Sequence, residues 1–182
     1  MNTSYVSAGK PKVAGAIWRA PSGTTLPTTA DEALDNAFVD LGYVSDDGVG
    51  NDQSFTADEV RAWGGDVVMT PESETNDNFT MNLIESLNVN VLKTVYGDDN
   101  VTGTLSTGIT VKKNAKDRTS ACYVIDMILR DGAIKRIVLP DAKISALDTI
   151  TYNDSDPIGY AITLTAMRDS AGQTHYEYIK GA

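Results

Sequence analysis

The 182-residue sequence has very few of the residues that build most catalytic and metal sites. It contains one cysteine, Cys122, and one histidine, His175. A single cysteine excludes an intramolecular disulfide and any metal site made of several cysteines. Catalysis of the histidine type, whether nucleophilic or acid–base, would depend on His175 alone.

Basic residues and long apolar runs are also scarce. Lysine and arginine total 15 against 25 aspartates and glutamates, which gives a net charge of −10. This balance argues against a nucleic-acid-binding protein, whose affinity rests on neutralised phosphates, and against a protein held on anionic membranes. No stretch approaches the roughly 20 apolar residues of a membrane-spanning helix, so we expect no membrane partner. Residues 1–5 have neither the charged nor the apolar region of a signal peptide, and we expect none.

The residues that are abundant favour β-sheet. Threonine occurs 20 times and valine 15 times, and both suit a pleated surface. Apolar residues alternate with the period of a strand over residues 120–130, 143–152 and 158–167, and more briefly over residues 13–17 and 79–83. The first and third of the long segments each place five apolar side chains on one face: Ala121, Tyr123, Ile125, Met127 and Leu129, and Ile158, Tyr160, Ile162, Leu164 and Ala166.

A tight hairpin is predicted after the first of these strands. Residues 131–132 are Asp-Gly, which suits a type I′ turn because both central residues take positive φ. The return strand, residues 133–139, then places Ile134 opposite Leu129, so that apolar side chains face each other.

A second hairpin is predicted near the end of the chain. Residues 170–172 suit a three-residue loop with Gly172 in the left-handed conformation. This loop places Tyr176 opposite Ala166 and Tyr178 opposite Leu164, whereas a four-residue loop would turn both tyrosines away.

One convincing helix lies in the middle of the sequence. Over residues 87–96, four apolar residues fall on one helical face: Leu87, Val91, Leu92 and Val95. Asn88 can cap the start and Gly97 can take the position just after the end. A shorter helix is possible over residues 30–38, where two acidic residues lie near the positive end. The sequence therefore predicts a mainly β fold with one or two short helices.

Residues 46–78 form a strongly acidic segment. They contain only one base, Arg61, and nine acids: Asp46, Asp47, Asp52, Asp58, Glu59, Asp66, Glu72, Glu74 and Asp77. A connection of about 33 residues is far longer than ordinary loops, which indicates either a functional segment or a disordered one. Its one apolar island comprises Val60, Trp63, Val67, Val68 and Met69. Two interpretations of Trp63 stay open: it packs on its own segment, or it anchors a partner.

The opposite charge bias occurs later in the sequence. Residues 112–136 contain seven basic residues and three acidic ones, and four of the bases lie close together: Lys112, Lys113, Lys116 and Arg118. An acidic and a basic region in one chain are candidates for two complementary surfaces.

The candidate chemical motifs are weak. His175 and Glu177 share a strand face, which favours a surface pair over catalysis or metal binding. Residues 98–103 resemble the opening of a calcium loop, but Ile109 stands where a bidentate glutamate is needed, so a polar turn is the better interpretation. Cys122 suits a buried structural thiol, and no phosphate-binding or dinucleotide motif occurs. We therefore predict no enzyme and no catalytic, cofactor or metal residues.

Several stretches together resemble the major tail proteins, or tail tube proteins, of bacteriophages with long non-contractile tails. They follow the order of that family over nearly the whole chain: residues 10–21 (KPKVAGAIWRAP), 41–49 (LGYVSDDGV), 60–65 (VRAWGG), 83–97 (LIESLNVNVLKTVYG) and 175–179 (HYEYI). This spread makes the resemblance more specific than a single motif.

The resemblance implies a structural protein with one domain over residues 1–182. The implied fold is a β-sandwich or partial barrel with a flanking α-helix and a long hairpin insert. Such proteins form hexameric rings, which stack into the tube through which DNA leaves the virion for the host. The implied partners are further copies of the chain and the tape measure, tail terminator and distal tail proteins. No cofactor is implied, and the tube is assembled in the host bacterial cytoplasm.

The charge segregation suggests how rings stack. The stacking loop of the family corresponds to residues 46–78, and we hypothesise that Val60, Arg61, Trp63, Val67, Val68 and Met69 of one ring contact the basic region Lys112, Lys113, Lys116 and Arg118 of the next. Stacking of this kind joins two different surfaces and propagates as a filament.

Two alternatives remain open. One is a β-sandwich module that binds carbohydrate or a cell-surface ligand, with Tyr176 and Tyr178 as its aromatic contacts. The other is a different tail component that shares the tube fold.

Overall fold

The computed structural model describes residues 3–12 and 15–182, so residue 13 of the short strand predicted near the start lies outside the described residues. Within that part of the chain the strands are β1 Lys10–Pro11, β2 Ile17–Pro21, β3 Val39–Asp40, β4 Val44–Ala57, β5 Val60–Arg61, β6 Val67–Met69, β7 Glu72–Leu83, β8 Val101–Thr104, β9 Gly108–Val111, β10 Ala121–Ile128, β11 Ile134–Leu147, β12 Tyr160–Ala166 and β13 Tyr176–Lys180. The α-helix is α1 Val89–Tyr96, and single 3-10 turns occupy Thr3–Tyr5, Asp98–Asn100 and Arg130–Gly132.

The long strand β11 organises the main antiparallel sheet. One edge of β11 pairs with β10. The other edge is shared, because β13 pairs with residues 134–138 and β12 pairs with residues 142–147. From β10 the sheet continues through β2 to β3, and from β12 it continues through β7 to β4. The sheets are open and form a sandwich-like arrangement, which confirms the predicted mainly β fold with one flanking helix.

Both faces of the central strands are buried. Tyr123 and Ile125 of β10 belong to the larger hydrophobic cluster, which joins side chains of β2, β7, β10, β11 and β12 with one face of α1. Cys122 and Val124 point the other way, into a smaller cluster with Phe38 and the connection before it. The alternation of β12 is buried at every second residue, as predicted. The thiol of Cys122 is buried and donates to the carbonyl of Pro140 over 3.1 Å.

The predicted middle helix is confirmed with its Asn88 cap and its Gly97 end, but Leu87 of the predicted apolar face precedes the helix and is exposed. The Asn88 side chain accepts a hydrogen bond from the backbone N–H of Asn90, which satisfies one free donor of the first turn. Gly97 follows the last turn at φ 100°, and its N–H donates to the carbonyl of Lys93 over 2.8 Å. The Thr94 hydroxyl donates to the Asn90 carbonyl within the helix.

The prediction of a second, shorter helix over residues 30–38 is wrong. That stretch is irregular, and side chains compete for its backbone groups. The Glu32 carboxylate accepts from the N–H of Thr28, and the Asp35 carboxylate accepts from the N–H of Ala37. Arg136 also binds the carbonyl oxygens of Thr29 and Glu32, which fixes the stretch against the sheet.

The register predicted for the β10–β11 hairpin is wrong by one residue. Ile134 pairs with Ile128, and the connecting loop contains Arg130–Gly132. Two consecutive residues take positive φ, Asp131 at 58° and Gly132 at 80°. The shifted register has a clear physical reason, because it sets Asp126 directly opposite Arg136 and allows their buried ion pair.

The hairpin predicted between β12 and β13 is also wrong. Both edges of β12 are already occupied, by β11 and by β7, so β13 crosses to the free half of β11. Tyr176 therefore pairs with Val138 instead of Ala166. Gly172 does take the expected left-handed conformation, at φ 82°.

The strand predicted over residues 143–152 has different ends in the structure. Residues 143–147 belong to the second half of β11, which continues without interruption from the hairpin, and the strand ends at Leu147. Ile150 and Tyr152 lie beyond it, and Tyr152 is exposed.

The buried ion pair between Asp126 and Arg136 provides a test of this fold. Each side chain is 2% exposed, and two N–H groups of the guanidinium donate to the carboxylate over 2.6 and 2.8 Å. We expect Arg136→Ala to lower the free energy of unfolding by about 3–5 kcal/mol, because it leaves a buried carboxylate without its main partner. Urea denaturation measures this change.

The control is Arg130→Ala on the exposed hairpin turn, which should change stability by less than about 0.5 kcal/mol. The double variant Asp126→Leu, Arg136→Met should recover part of the loss, because neither charge is then left unpaired, although the carbonyl oxygens of Thr29 and Glu32 still lose their donor. If Arg136→Ala and Arg130→Ala lower the free energy of unfolding equally, the role assigned to the ion pair is contradicted.

Candidate assembly surfaces

The acidic segment, residues 46–78, forms a β-hairpin that we call the arm. The two strands β4 and β7 pair over its length, from Val49 with Met81 to Ala57 with Glu72. β7 pairs with β12 only as far as Asn78, so beyond that residue the arm consists of two strands alone. Every side chain that the structure describes over residues 51–76 is exposed. The long hairpin insert is therefore present, and it buries none of these side chains against its own chain.

The end of the arm presents an apolar group, which we call the tip: Val60, Trp63, Val67, Val68 and Met69, all exposed. The strands β5 and β6 pair here, and the turn between them contains Gly64 and Gly65 at φ 123° and 98°. The Arg61 guanidinium donates to the Gly65 carbonyl and forms an ion pair with Glu59. This turn leaves Trp63 fully exposed, so the interpretation in which Trp63 packs on its own segment is wrong.

A buried carboxylate fixes the base of the arm. Asp77 is 4% exposed and accepts hydrogen bonds from the Thr174 hydroxyl over 2.6 Å and from the Asn51 amide over 2.7 Å. It also lies 2.5 Å from Nδ1 of His175, whose ring contacts the edge of Phe79. Burial opposes ionisation of Asp77, but these hydrogen bonds outweigh it and hold the pKa below its usual value.

This geometry corrects the surface pair predicted for His175 and Glu177. His175 belongs to the arm base, and Glu177 instead forms an ion pair with Lys135 over 2.7 Å. Sequence analysis missed this cluster because Asp77 and His175 lie 98 residues apart.

The four clustered bases lie in the connection between β9 and β10, beside the end of α1. The N–H of Lys112 donates to the carbonyl of Asn100, and Lys116 lies 3.4 Å from Asp99. Arg118 differs from the lysines because its guanidinium donates to the carbonyl of Val95 near the helix end. Lys112, Lys113 and Lys116 are exposed.

The seven bases of residues 112–136 do not form one surface. Arg136 is buried, and Lys135 is paired with Glu177 on the sheet. Arg130 lies on the β10–β11 turn, where its guanidinium donates to the Thr3 carbonyl. Only the bases of residues 112–118 remain as a basic surface.

A groove of about 580 Å³ opens beside this basic surface. The lining residues come from the helix end, the β9–β10 connection and strands β11 and β12: Tyr96, Lys113, Asn114, Ala115, Lys116, Asp117, Arg118, Lys143, Ile144, Ser145, Thr165 and Met167. Four of these residues are basic and one is acidic. Asp117 and Lys143 face each other across 3.7 Å. Sequence analysis did not identify the contributions of Tyr96, Lys143, Ile144 and Met167, because they come from separate elements.

The turn after α1 is held to the sheet by charge. Two N–H groups of Arg19 donate to Asp98 over 2.9 and 2.7 Å, and this bond lowers the pKa of Asp98 against the effect of partial burial. Within residues 98–103, Asp98–Asn100 form a 3-10 turn and the rest begin β8, as expected for a polar turn. Among the described residues, no group of three or more His, Cys, Asp or Glu side chains could hold a metal ion.

The two tyrosines considered for a carbohydrate site are stacked on each other, with ring centroids 6.3 Å apart. Both pack against the smaller hydrophobic cluster, and the Tyr176 hydroxyl donates to Asp169. This bond raises the pKa of Tyr176. Their contacts stabilise the fold and give no support to a ligand site.

The sheet also has open edges. In the part of the chain that the structure describes, it ends at β3 on one side and at β4 on the other. An unpaired edge presents free backbone donors and acceptors that another strand can bind. In the same part, no helix is long and apolar enough to cross a membrane.

These features define a mainly β protein with open sheet edges, an exposed arm and a basic groove. The phage tail tube protein family matches residues 4–182. The chain therefore belongs to the phage tail tube protein family, and it is a structural protein of the virion tail.

No curated protein sequence matches the chain significantly. A solved structure described as a cryo-EM structure of the anti-feeding prophage cap (AFP tube terminating cap) is similar over 97% of this chain and 95% of that one, with 12% identity and a TM-score of 0.47.

The arm base supports a prediction on pH. The folded-state pKa of Asp77 is lowered, so its contribution to stability is present above the usual aspartate pKa and is lost as the pH falls through the folded value. We expect Asp77→Asn to cost about 1–3 kcal/mol at pH 7, because buried donors lose a charged acceptor. The cost should begin to shrink below about pH 4, where the unfolded chain takes up the proton, and should be lost once the folded carboxylate is protonated as well. Urea denaturation at several pH values measures both.

The matched control is Asp52→Asn, which makes the same change at an exposed position of the arm. It should leave stability within about 0.5 kcal/mol at every pH. A cost of Asp77→Asn that does not depend on pH would show that the ionised carboxylate is not what stabilises the base.

Proposed function

We propose that this chain is the subunit of a phage tail tube, which forms hexameric rings that stack into the conduit for DNA ejection into the host. The family match over residues 4–182 carries this proposal. We further propose that the subunit has no catalytic activity and needs no cofactor. Its partners are other copies of itself and the tape measure, tail terminator and distal tail proteins, and assembly takes place in the host bacterial cytoplasm.

Ring formation uses the open sheet edges. The edges of β3 and β4 carry backbone groups that would otherwise be left to water or to aggregation. Closing a sheet around a ring removes its edges altogether. This requirement supports a closed assembly of several copies over an isolated monomer.

Ring stacking uses the arm and the basic surface. The tip residues and Arg61 of one subunit contact Lys112, Lys113, Lys116 and Arg118 of a subunit in the next ring. Two observations support this arrangement: the arm carries nine acids against one base, and its described side chains over residues 51–76 are all exposed. The contact joins two different surfaces, so it repeats along a tube.

The charge-reversal variant Lys112→Glu, Lys113→Glu, Lys116→Glu tests the stacking contact. We expect it to abolish tube growth, because an acidic arm would then meet an acidic surface. Arg118 is left unchanged because it binds the carbonyl of Val95 and contributes to the fold. Negative-stain electron microscopy counts tubes, and thermal unfolding checks that the monomer remains folded.

The control reverses three other exposed bases, Lys10, Arg130 and Lys180, which lie at the opposite end of β11. It makes the same change in net charge outside the basic surface, so tubes that still form with it show that net charge alone does not block stacking. If the first variant forms tubes as well as the wild type does, the basic surface is not the stacking contact.

The negative charge of the subunit suits a DNA conduit. Each copy adds a net charge of −10 to the ring, and this charge repels phosphates that a basic lining would retain. We expect assembled tubes to bind no duplex DNA at about 0.15 M salt, an ionic strength at which phosphate contacts still hold basic proteins. Co-sedimentation of labelled DNA with tubes measures this, and tight binding would contradict the proposed lining.

A further inference from the structure

We propose that the basic groove is a socket for Trp63 of another copy of this chain. This inference rests on the proposed function and makes its stacking contact specific. The socket combines apolar and cationic side chains, and the family match assigns it no role.

The lining of the groove suits an aromatic side chain on an acidic carrier. Tyr96, Ile144 and Met167 provide apolar surface, while Lys113, Lys116 and Lys143 provide positive charge. An indole ring gains from burial against apolar groups and from contact with a cation over its face. Among the described residues Lys113 forms no ion pair, so its ammonium group is free for such a contact.

The tip supplies a matching group. Trp63 is fully exposed, and the chain from residue 58 to residue 69 carries three acids, Asp58, Glu59 and Asp66, against one base, Arg61. An exposed tryptophan on an acidic carrier is complementary to a groove that combines apolar side chains with lysines. Tryptophan is also the type of residue that most often dominates binding energy at interfaces.

The arm does not insert into the groove of its own chain. The groove lies at the level of the arm base, because Thr165 lines it and its hydroxyl donates to Asn78. Trp63 lies 15 residues from Asn78 along the arm, a contour length of up to about 50 Å at about 3.3 Å per residue. The side chain of Trp63 is fully exposed, so the groove of its own chain does not hold it.

The same length fits a second copy. The longest strand of the sheet outside the arm is β11, whose 14 residues extend up to about 46 Å at the same rise. A copy displaced along the strand direction by about the length of β11 brings its groove level with Trp63. The occupant of the socket is thus the arm of a copy in the neighbouring ring.

Cysteine cross-linking in assembled protein tests the socket. The variant Ala62→Cys, Ser145→Cys keeps Trp63 and places one thiol beside it and one in the groove. The native Cys122 is buried and does not interfere. Mild oxidation of tubes should give disulfide-linked dimers and longer ladders on non-reducing gels, and unassembled protein at low concentration should give none.

The matched control is Ala62→Cys, Lys10→Cys, whose second thiol lies at the far end of β11 and should give no ladder. Tubes without the Ala62–Ser145 cross-link, or with equal cross-linking in the control, would overturn the socket and leave the proposed function standing. Failure of wild-type protein to form rings or tubes at any concentration would overturn the proposed function and the socket with it.

A second pair of variants separates binding from folding. Trp63→Ala should raise the protein concentration needed for tube growth by about tenfold or more, as expected for a central interface anchor. Leu105→Ala, which removes another exposed apolar side chain at the tip of the β8–β9 hairpin, should not. Neither change should alter thermal unfolding, and equal effects on assembly would overturn the proposal.

Discussion

A hairpin of two strands has no further element of its own chain against which to bury the side chains of its two faces. This constraint applies to the free part of the arm, whose described side chains over residues 51–76 are all exposed. An isolated hairpin is at best marginally stable in water. The composition of the arm follows from this: mostly polar and acidic residues along the stem, with an exposed Phe55 among them, and apolar residues gathered at the tip, where a partner surface can cover them.

The charge of the arm serves specificity as well as solubility. Exposed strand edges tend to pair with one another, and charged side chains along them suppress that pairing. With nine acids and one base, two arms repel each other, whereas the basic surface beside α1 attracts them. A protein that must assemble only in one way gains from an element that repels the same element in other copies and binds one different surface on them.

The body of the molecule gives the arm a fixed starting point. β11 is paired along both edges, and the ion pair of Arg136 with Asp126 locks its register to β10. β12 and β7 extend this ordered sheet to the arm base, where Asp77 accepts hydrogen bonds from Thr174 and Asn51 and contacts His175. The direction of the arm is therefore set by buried polar contacts, while its far end has only exposed side chains.

Features that depend on near neighbours were predictable from the sequence alone. The helix with its Asn88 cap and Gly97 end, the alternation of β12 and the left-handed Gly172 were all predicted correctly, because caps, periodicity and positive φ are properties of a few adjacent residues. The acidic segment and its apolar island were also evident, although not their arrangement as a hairpin with an exposed Trp63.

Only the tertiary structure decided which strands pair and which side chains meet. β13 joined β11 because both edges of β12 were occupied, and the β10–β11 register followed the buried pair of Asp126 and Arg136. The groove and the arm base bring together residues from separate elements, such as Asp77 and His175 across 98 positions. Such contacts cannot be predicted from adjacent residues, because they depend on which strand edges and which charged side chains have no other partner in the fold.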